Sequence, residues 1–126
     1  MKRKTKVYPG IYVLMLIISM SCTQHKAVQL FVSPDGDDTN PGTKAAPFQS
    51  LGKAKNSVRS LLSEAPGKPV VVHLKGGNYY IKEPIVFSSE DSGTENARVV
   101  YKAADGEVPV FTGSREVKDW RLLEEN

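Results

Sequence analysis

Three groups of side chains in this 126-residue sequence have the types and spacing for chemistry. Asp35, Asp37, Asp38 and Asn40 put four oxygen-bearing side chains into a short loop. Calcium takes about six to eight oxygen ligands, and a loop of this kind supplies several of them. The loop has neither the regular spacing nor the terminal Glu of an EF-hand. Asx turns, in which the side chain bonds the nearby main chain, explain it more simply. Calcium is the one candidate cofactor, at Asp35, Asp37 and Asp38. The second group is Glu90, Asp91 and Glu95. A glycosidase needs two carboxylates, one to protonate the leaving oxygen and one to attack or to activate water. These three fall in the polar stretch from Ser88 to Ala97, which reads as a surface turn, so solvated carboxylates are expected. The third group is aromatic: Trp120 and the tyrosines offer faces that suit sugar rings, though Tyr79 and Tyr101 read first as ordinary partly buried aromatics. Two single residues complete the set. His73 lies within an apolar run, where a hydrogen-bonded core or sheet-face histidine is expected rather than a general base. Cys22 is the only thiol.

Cys22 has a setting of its own. Lys2, Arg3, Lys4 and Lys6 form a basic start, Ile11 to Met20 an apolar run, and Ser19, Met20 and Ser21 lead into the cysteine. The apolar run is about half of the roughly 20 residues a spanning helix needs. This order is that of an export signal. The segment resembles the lipobox of bacterial lipoproteins, with Ser19 where Leu is commonest. That resemblance implies a signal peptide over residues 1–21, acylation of Cys22 (palmitate being the usual acyl chain), and a polar tether over residues 22–28. A plain secretory signal with an incidental cysteine, or an uncleaved anchor, would share the basic and apolar parts. The implied address is the cell envelope, with the outer membrane expected, outside the cytoplasm.

The signal also accounts for the charge. The chain carries 17 Lys and Arg against 14 Asp and Glu, a formal +3. Four of the basic residues precede Cys22 and none of the acidic ones does, which leaves 13 against 14, or −1. Lys53, Lys55, Arg59, Lys75, Lys82 and Arg98 are scattered among acids, so no nucleic-acid footprint remains. With Cys22 acylated, no thiol is left for disulfides, zinc or nucleophilic catalysis. The 105 residues from Cys22 onward suffice for one small domain with a modest core, expected as a monomer.

The positioning elements can be read along the chain. Gln29–Ser33 is a short strand, and Pro34–Thr43 a loop dense in turn formers. Ser50 caps a helix whose Leu51, Ala54, Val58, Leu61 and Leu62 share one face, with Lys53, Lys55, Asn56 and Arg59 on the other. Pro66-Gly-Lys-Pro69 ends it. Val70–Leu74 has the pattern of a buried strand. A turn follows over residues 75–78, then extended chain over Tyr79–Ile81, and further apolar runs at Ile85–Phe87, Val99–Tyr101 and Val108–Thr112. Val71 to Val99 is 28 residues and Ile85 to Val110 is 25. Strands returning at a nearly constant period, separated by polar turns, point to solenoid coils. A small antiparallel sandwich would need only the same runs.

The motifs separate the two. Phe31-Val-Ser-Pro-Asp-Gly-Asp-Asp-Thr-Asn-Pro-Gly-Thr43, Ala46-Pro-Phe-Gln-Ser-Leu51, Gly76-Gly-Asn-Tyr79, Asp91-Ser-Gly-Thr-Glu-Asn-Ala97, Val99-Val-Tyr-Lys-Ala103 and Pro109-Val-Phe-Thr-Gly113 follow in a fixed order. Together they resemble the amino-terminal end of secreted right-handed parallel β-helix proteins with a pectate-lyase-like fold, over about Leu30 to Trp120. The resemblance implies an all-β fold: about two coils of a right-handed parallel β-helix over residues 29–126, with the amphipathic helix plugging its amino-terminal end. Gly76, Gly77 and Gly93 would then serve tight bends between coil faces. Such proteins run through many more coils, so this chain is expected to be the amino-terminal piece of a larger protein, open at its far end and marginally stable alone.

Members of that class include polysaccharide lyases and glycoside hydrolases, whose catalytic residues project from middle coils; none maps onto a position here. The implied function is the amino-terminal part of a lipid-anchored protein acting on polysaccharide, inactive as this piece. The alternative is a non-catalytic surface scaffold, adhesin or glycan-binding lipoprotein.

Overall fold

The computed structural model describes residues 26–114, 118–119 and 121. The expected signal peptide, Cys22 and Trp120 lie outside the described residues. Along the chain come β1 (Val28–Val32), α1 (Leu51–Glu64), β2 (Val70–Leu74), β3 (Gly77–Tyr80), a 3-10 turn (Ser89–Asp91), β4 (Val99–Ala103) and β5 (Pro109–Thr112). Every ladder between these strands is parallel: β1-β2-β4 form one sheet and β3-β5 a second. An antiparallel sandwich is thereby ruled out for these strands, and the fold is strand-rich, with parallel sheets and one α-helix.

The register explains which residues form the core. Along β2, Val70, Val72 and Leu74 are buried and alternate with the half-buried Val71 and His73. Pairing sets Val28 and Val99 beside Val70, Leu30 and Tyr101 beside Val72, and Val32 and Ala103 beside Leu74. The inward residues therefore stack in columns across the strands. In the middle of the stack Val32 and Val72 are fully enclosed.

Helix α1 closes one side of this stack. Its start is set by Ser50, whose Oγ accepts from the Lys53 amide at 3.0 Å, a cap worth about 1 kcal/mol. Pro66 sits just past its end and cannot continue the hydrogen-bond ladder. Ala54 and Val58 are buried in the core, with Leu51, Leu61 and Leu62 packed against it, which is the face that the spacing marks out.

Three sequence expectations are corrected. Ile85–Phe87 is not a strand: Val86 and Phe87 are exposed, and the run is apolar without being paired. β3 begins at Gly77, inside the expected turn. The period is also uneven, because Val28 pairs with Val70 after 42 residues, Val70 with Val99 after 29, and Gly77 with Pro109 after 32. The long first interval holds the acidic loop and α1. The 28-residue spacing misses the true register by one because Val99 and Val100 are both apolar, and only the inward alternation tells them apart.

Two of the glycines sit where the backbone requires them. Gly77 opens β3 at φ 119°, a left-handed conformation that side chains avoid. A Cβ on Gly93 would collide with the Ala97 carbonyl and crowd the Val99 amide, so the turn into β4 closes only with glycine.

Burial fades toward one edge. Among the described residues, β2 is paired on both sides, whereas β4 and β5 each have one strand partner. Val99 and Tyr101 are only partly buried, and Val100, Val110 and Phe111 are 40%, 46% and 45% exposed. Val72→Ala should therefore cost about 2 kcal/mol. Val100→Ala, the same change on the exposed face of the edge strand, should stay within about 0.5 kcal/mol. Urea midpoints at constant slope check the pair; equal losses would contradict this placement of the core.

Candidate functional site

The acidic loop uses its side chains to hold itself in shape. Asp37 Oδ1 accepts from the Thr39 amide at 2.7 Å and from its hydroxyl at 2.6 Å, an Asx turn, and these bonds lower its pKa, the hydroxyl bond most. Asp38 Oδ1 accepts from the amides of Gln49 and Ser50 at 2.9 and 2.8 Å. The Asn40 amide donates to the Pro47 carbonyl at 3.0 Å, and Asp35 is exposed. The loop is thereby tied down just before α1. Among the described residues, no three His, Cys, Asp or Glu gather as metal ligands would.

The second acidic group departs from the sequence reading. Asp91 is not solvated: its side chain is 1% exposed. Arg59, on the helix face expected to meet water, turns onto it. Nε donates to Oδ1 at 3.0 Å and Nη2 to Oδ2 at 2.8 Å, and the Ser88 amide adds a third donor to Oδ2 at 2.8 Å. A carboxylate so enclosed must be paired to stay charged. The Arg59 bonds, then the Ser88 amide, hold its pKa down to about 2, and Asp91 in turn keeps Arg59 more firmly protonated. Glu90 reaches Arg59 at 3.1 Å from an exposed position, and Glu95 is exposed on the turn beyond. The group is thus a clamp between α1 and the 3-10 turn. One local signal existed: Ser88-x-x-Asp91 has capping-box spacing, which turns the second side chain back onto the main chain. Its partner Arg59, 32 residues earlier, left none.

His73 stacks on Phe31 (centroids 4.8 Å apart, planes 13° apart), and its enclosed Nε2 finds no hydrogen-bond partner, contrary to expectation. Tyr79 is a core residue: its hydroxyl lies 2.8 Å from the Lys75 carbonyl and 3.1 Å from that of Val32, and its ring stacks on Phe111. Tyr101 meets Phe87 edge-on, and its enclosed hydroxyl has no partner. Burial pushes the pKa of both tyrosines up to about 12, helped by Glu107 for Tyr79 and by Asp91 for Tyr101.

Two concavities stand out among the described residues. One, of about 710 Å³, opens at the β4 edge over Leu74, Val99, Tyr101 and Phe111. The other, of about 630 Å³, runs between the first turns of α1, the acidic loop and residues 78–85. The candidate carboxylates 35–38 and 90–95 are not gathered in one cleft.

No family model matches the chain. Over 87 residues it is 32% identical to pectate lyase PEL9 of Emericella nidulans, a match covering 69% of this chain and 19% of that protein. A solved glycoside hydrolase superposes on 77% of this chain and 17% of its own, with TM-score 0.72 and 29% identity. The solved complex of XylC with xylose matches 79% of this chain and 14% of its own, with TM-score 0.52 and 27% identity. Its relatives are carbohydrate-active. The chain spans about a fifth of the length of PEL9.

The Asp91 clamp fixes a pH dependence. The folded-state pKa, about 2, lies below the unfolded value of 3.8. Its stabilisation is therefore complete above the unfolded value and is lost as pH falls through the folded one. Asp91→Asn should flatten stability between pH 4 and pH 2, an interval of about two units. At neutral pH, Arg59→Met should be more damaging than Arg59→Met with Asp91→Leu, since the single change strands a buried charge. Urea melts of the three variants check both outcomes.

Proposed function

We propose that this chain forms the amino-terminal cap and first coils of a right-handed parallel β-helix protein, lipid-anchored through Cys22 outside the cytoplasm, that acts on polysaccharide as a lyase or glycoside hydrolase. The observation that carries this reading is the parallel stack closed by α1, together with its superposition on a glycoside hydrolase at TM-score 0.72. The similarity to PEL9, a pectate lyase by name, supports the same substrate class.

The open β4–β5 edge fits a chain that goes on to further coils. The inward columns reach it half-covered, and a cleft lined by Leu74, Val99, Tyr101 and Phe111 lies over them. Another coil stacked in register would bury Val99 and Tyr101 as β2 buries Leu30 and Val32. Catalytic residues belong to such coils on this reading, and α1 with the clamp serves to end the stack.

A strain lacking the chain should grow more slowly than its parent on pectate, rhamnogalacturonan or xylan as sole carbon source. The whole protein with its further coils should restore growth and this chain alone should not, and Cys22→Ser in the whole protein should restore it poorly and lose incorporation of labelled palmitate. Equal growth on every polysaccharide would contradict the assignment, and unchanged labelling of Cys22→Ser would contradict the anchor.

A further inference from the structure

The groove at the helix end of the fold meets the edge cleft only at Leu51 and has a more polar lining. Its walls are held rigidly. Asp38 fixes one through the amides of Gln49 and Ser50, and the pairing of β3 with β5 fixes the other. Because Tyr79 points into the core, Asn78 and Tyr80 both take the outer face of β3. Tyr80 is 47% exposed. Across the groove, Gly52 and Asn56 are one helical turn apart on α1 and share a face. Gly52 supplies no side chain there: a Cβ would meet nothing nearer than Ser50 Oγ at 3.9 Å.

We infer that this groove binds a neutral oligosaccharide, with Tyr80 as the stacking surface and Asn56, Asn78 and Gln49 as hydroxyl partners. An aromatic ring with a few convergent polar groups is the usual make-up of a small-molecule site, and a volume of about 630 Å³ lies in the usual range. Side-chain amides both donate and accept, as sugar hydroxyls do. The charges favour a neutral ligand. Two acids, Asp38 and Glu83, stand against two bases, Lys55 and Lys82, in its lining, and Lys55 Nζ is turned to the Val86 carbonyl at 3.0 Å. Its lining therefore carries no net positive charge to select a uronate. The site is remote in kind from catalysis: it would hold a polysaccharide chain at the cap while other coils work on it. The inference rests on the proposed function only in taking a sugar as the ligand.

The test is an amide-resolved NMR titration of the full chain in a detergent without a sugar headgroup, using xylotetraose and, separately, trigalacturonate. Xylotetraose should shift amides of residues 49–56 and 78–85, with a dissociation constant on the order of 1 mM. Tyr80→Ala should weaken binding about tenfold while Tyr80→Phe keeps it. Gly52→Leu, which fills the groove from a helix position with room for a side chain, should weaken it as much while the other amides keep their positions. Absence of shifts, shifts confined to the β4–β5 edge, or binding of trigalacturonate alone would overturn the inference. None of these results bears on the growth phenotype, so the two readings fail separately.

Discussion

The parallel register of β1, β2 and β4 is the constraint from which the rest of the molecule follows. Parallel pairing keeps like positions of successive strands side by side, so one alternation of inward and outward residues is enforced on all three. Val70, Val72 and Leu74 satisfy it fully, with valine and leucine columns on the β1 side. A parallel pair also demands a long crossover. The crossover from β1 to β2 carries α1, which covers the inward columns. That from β2 to β4 carries β3 and the 3-10 turn, which is held against α1 by Arg59 and Asp91. The clamp thus joins two crossovers that no strand pairing connects.

The charge buried at Asp91 has a reason in this geometry. The stretch 88–95 between β3 and β4 is polar, so it is fixed by directed bonds. Four donors converge on one carboxylate, two of them from a guanidinium anchored on a helix and two from Ser88. A hydrophobic pair could pack there, but it would not fix the path of the turn. Among the described residues the edge beyond β4 is treated differently: it is apolar, shallow and unpaired, the opposite of the protected edges found on isolated sheets. The two ends of the stack therefore have different physical characters, one closed by a helix and one open.

Much of this was legible in the residues. The helix was clear because its cap, its apolar face and its proline stop agree, and β2 because five apolar-rich residues sit between two turn signals. The resemblance implied parallel strands with a helix at one end, and the parallel ladders exclude the antiparallel sandwich for these strands. What failed was whatever depends on long-range partners. Ile85–Phe87 is as apolar as a strand but has no neighbour to pair with. The register slipped by one where two adjacent valines face opposite ways. Asp91 read as solvated because its composition is that of a loop, and its partner lies on another element. Asp37 and Asp38 were read as turn formers; Asp37 makes the Asx turn, whereas Asp38 bonds the distant amides of Gln49 and Ser50.

The central claim is the parallel register itself, and proton–proton contacts measured by NMR across the strands test it most directly. Directly opposed Cα–H groups approach closely only in antiparallel pairs. The expected result is an absence of close Cα–H to Cα–H contacts among β1, β2 and β4, with backbone contacts linking Val71 to Gln29 on one side and to Val100 on the other. Close Cα–H pairs between any two of these strands, or contacts placing Val71 opposite Val99, would contradict it.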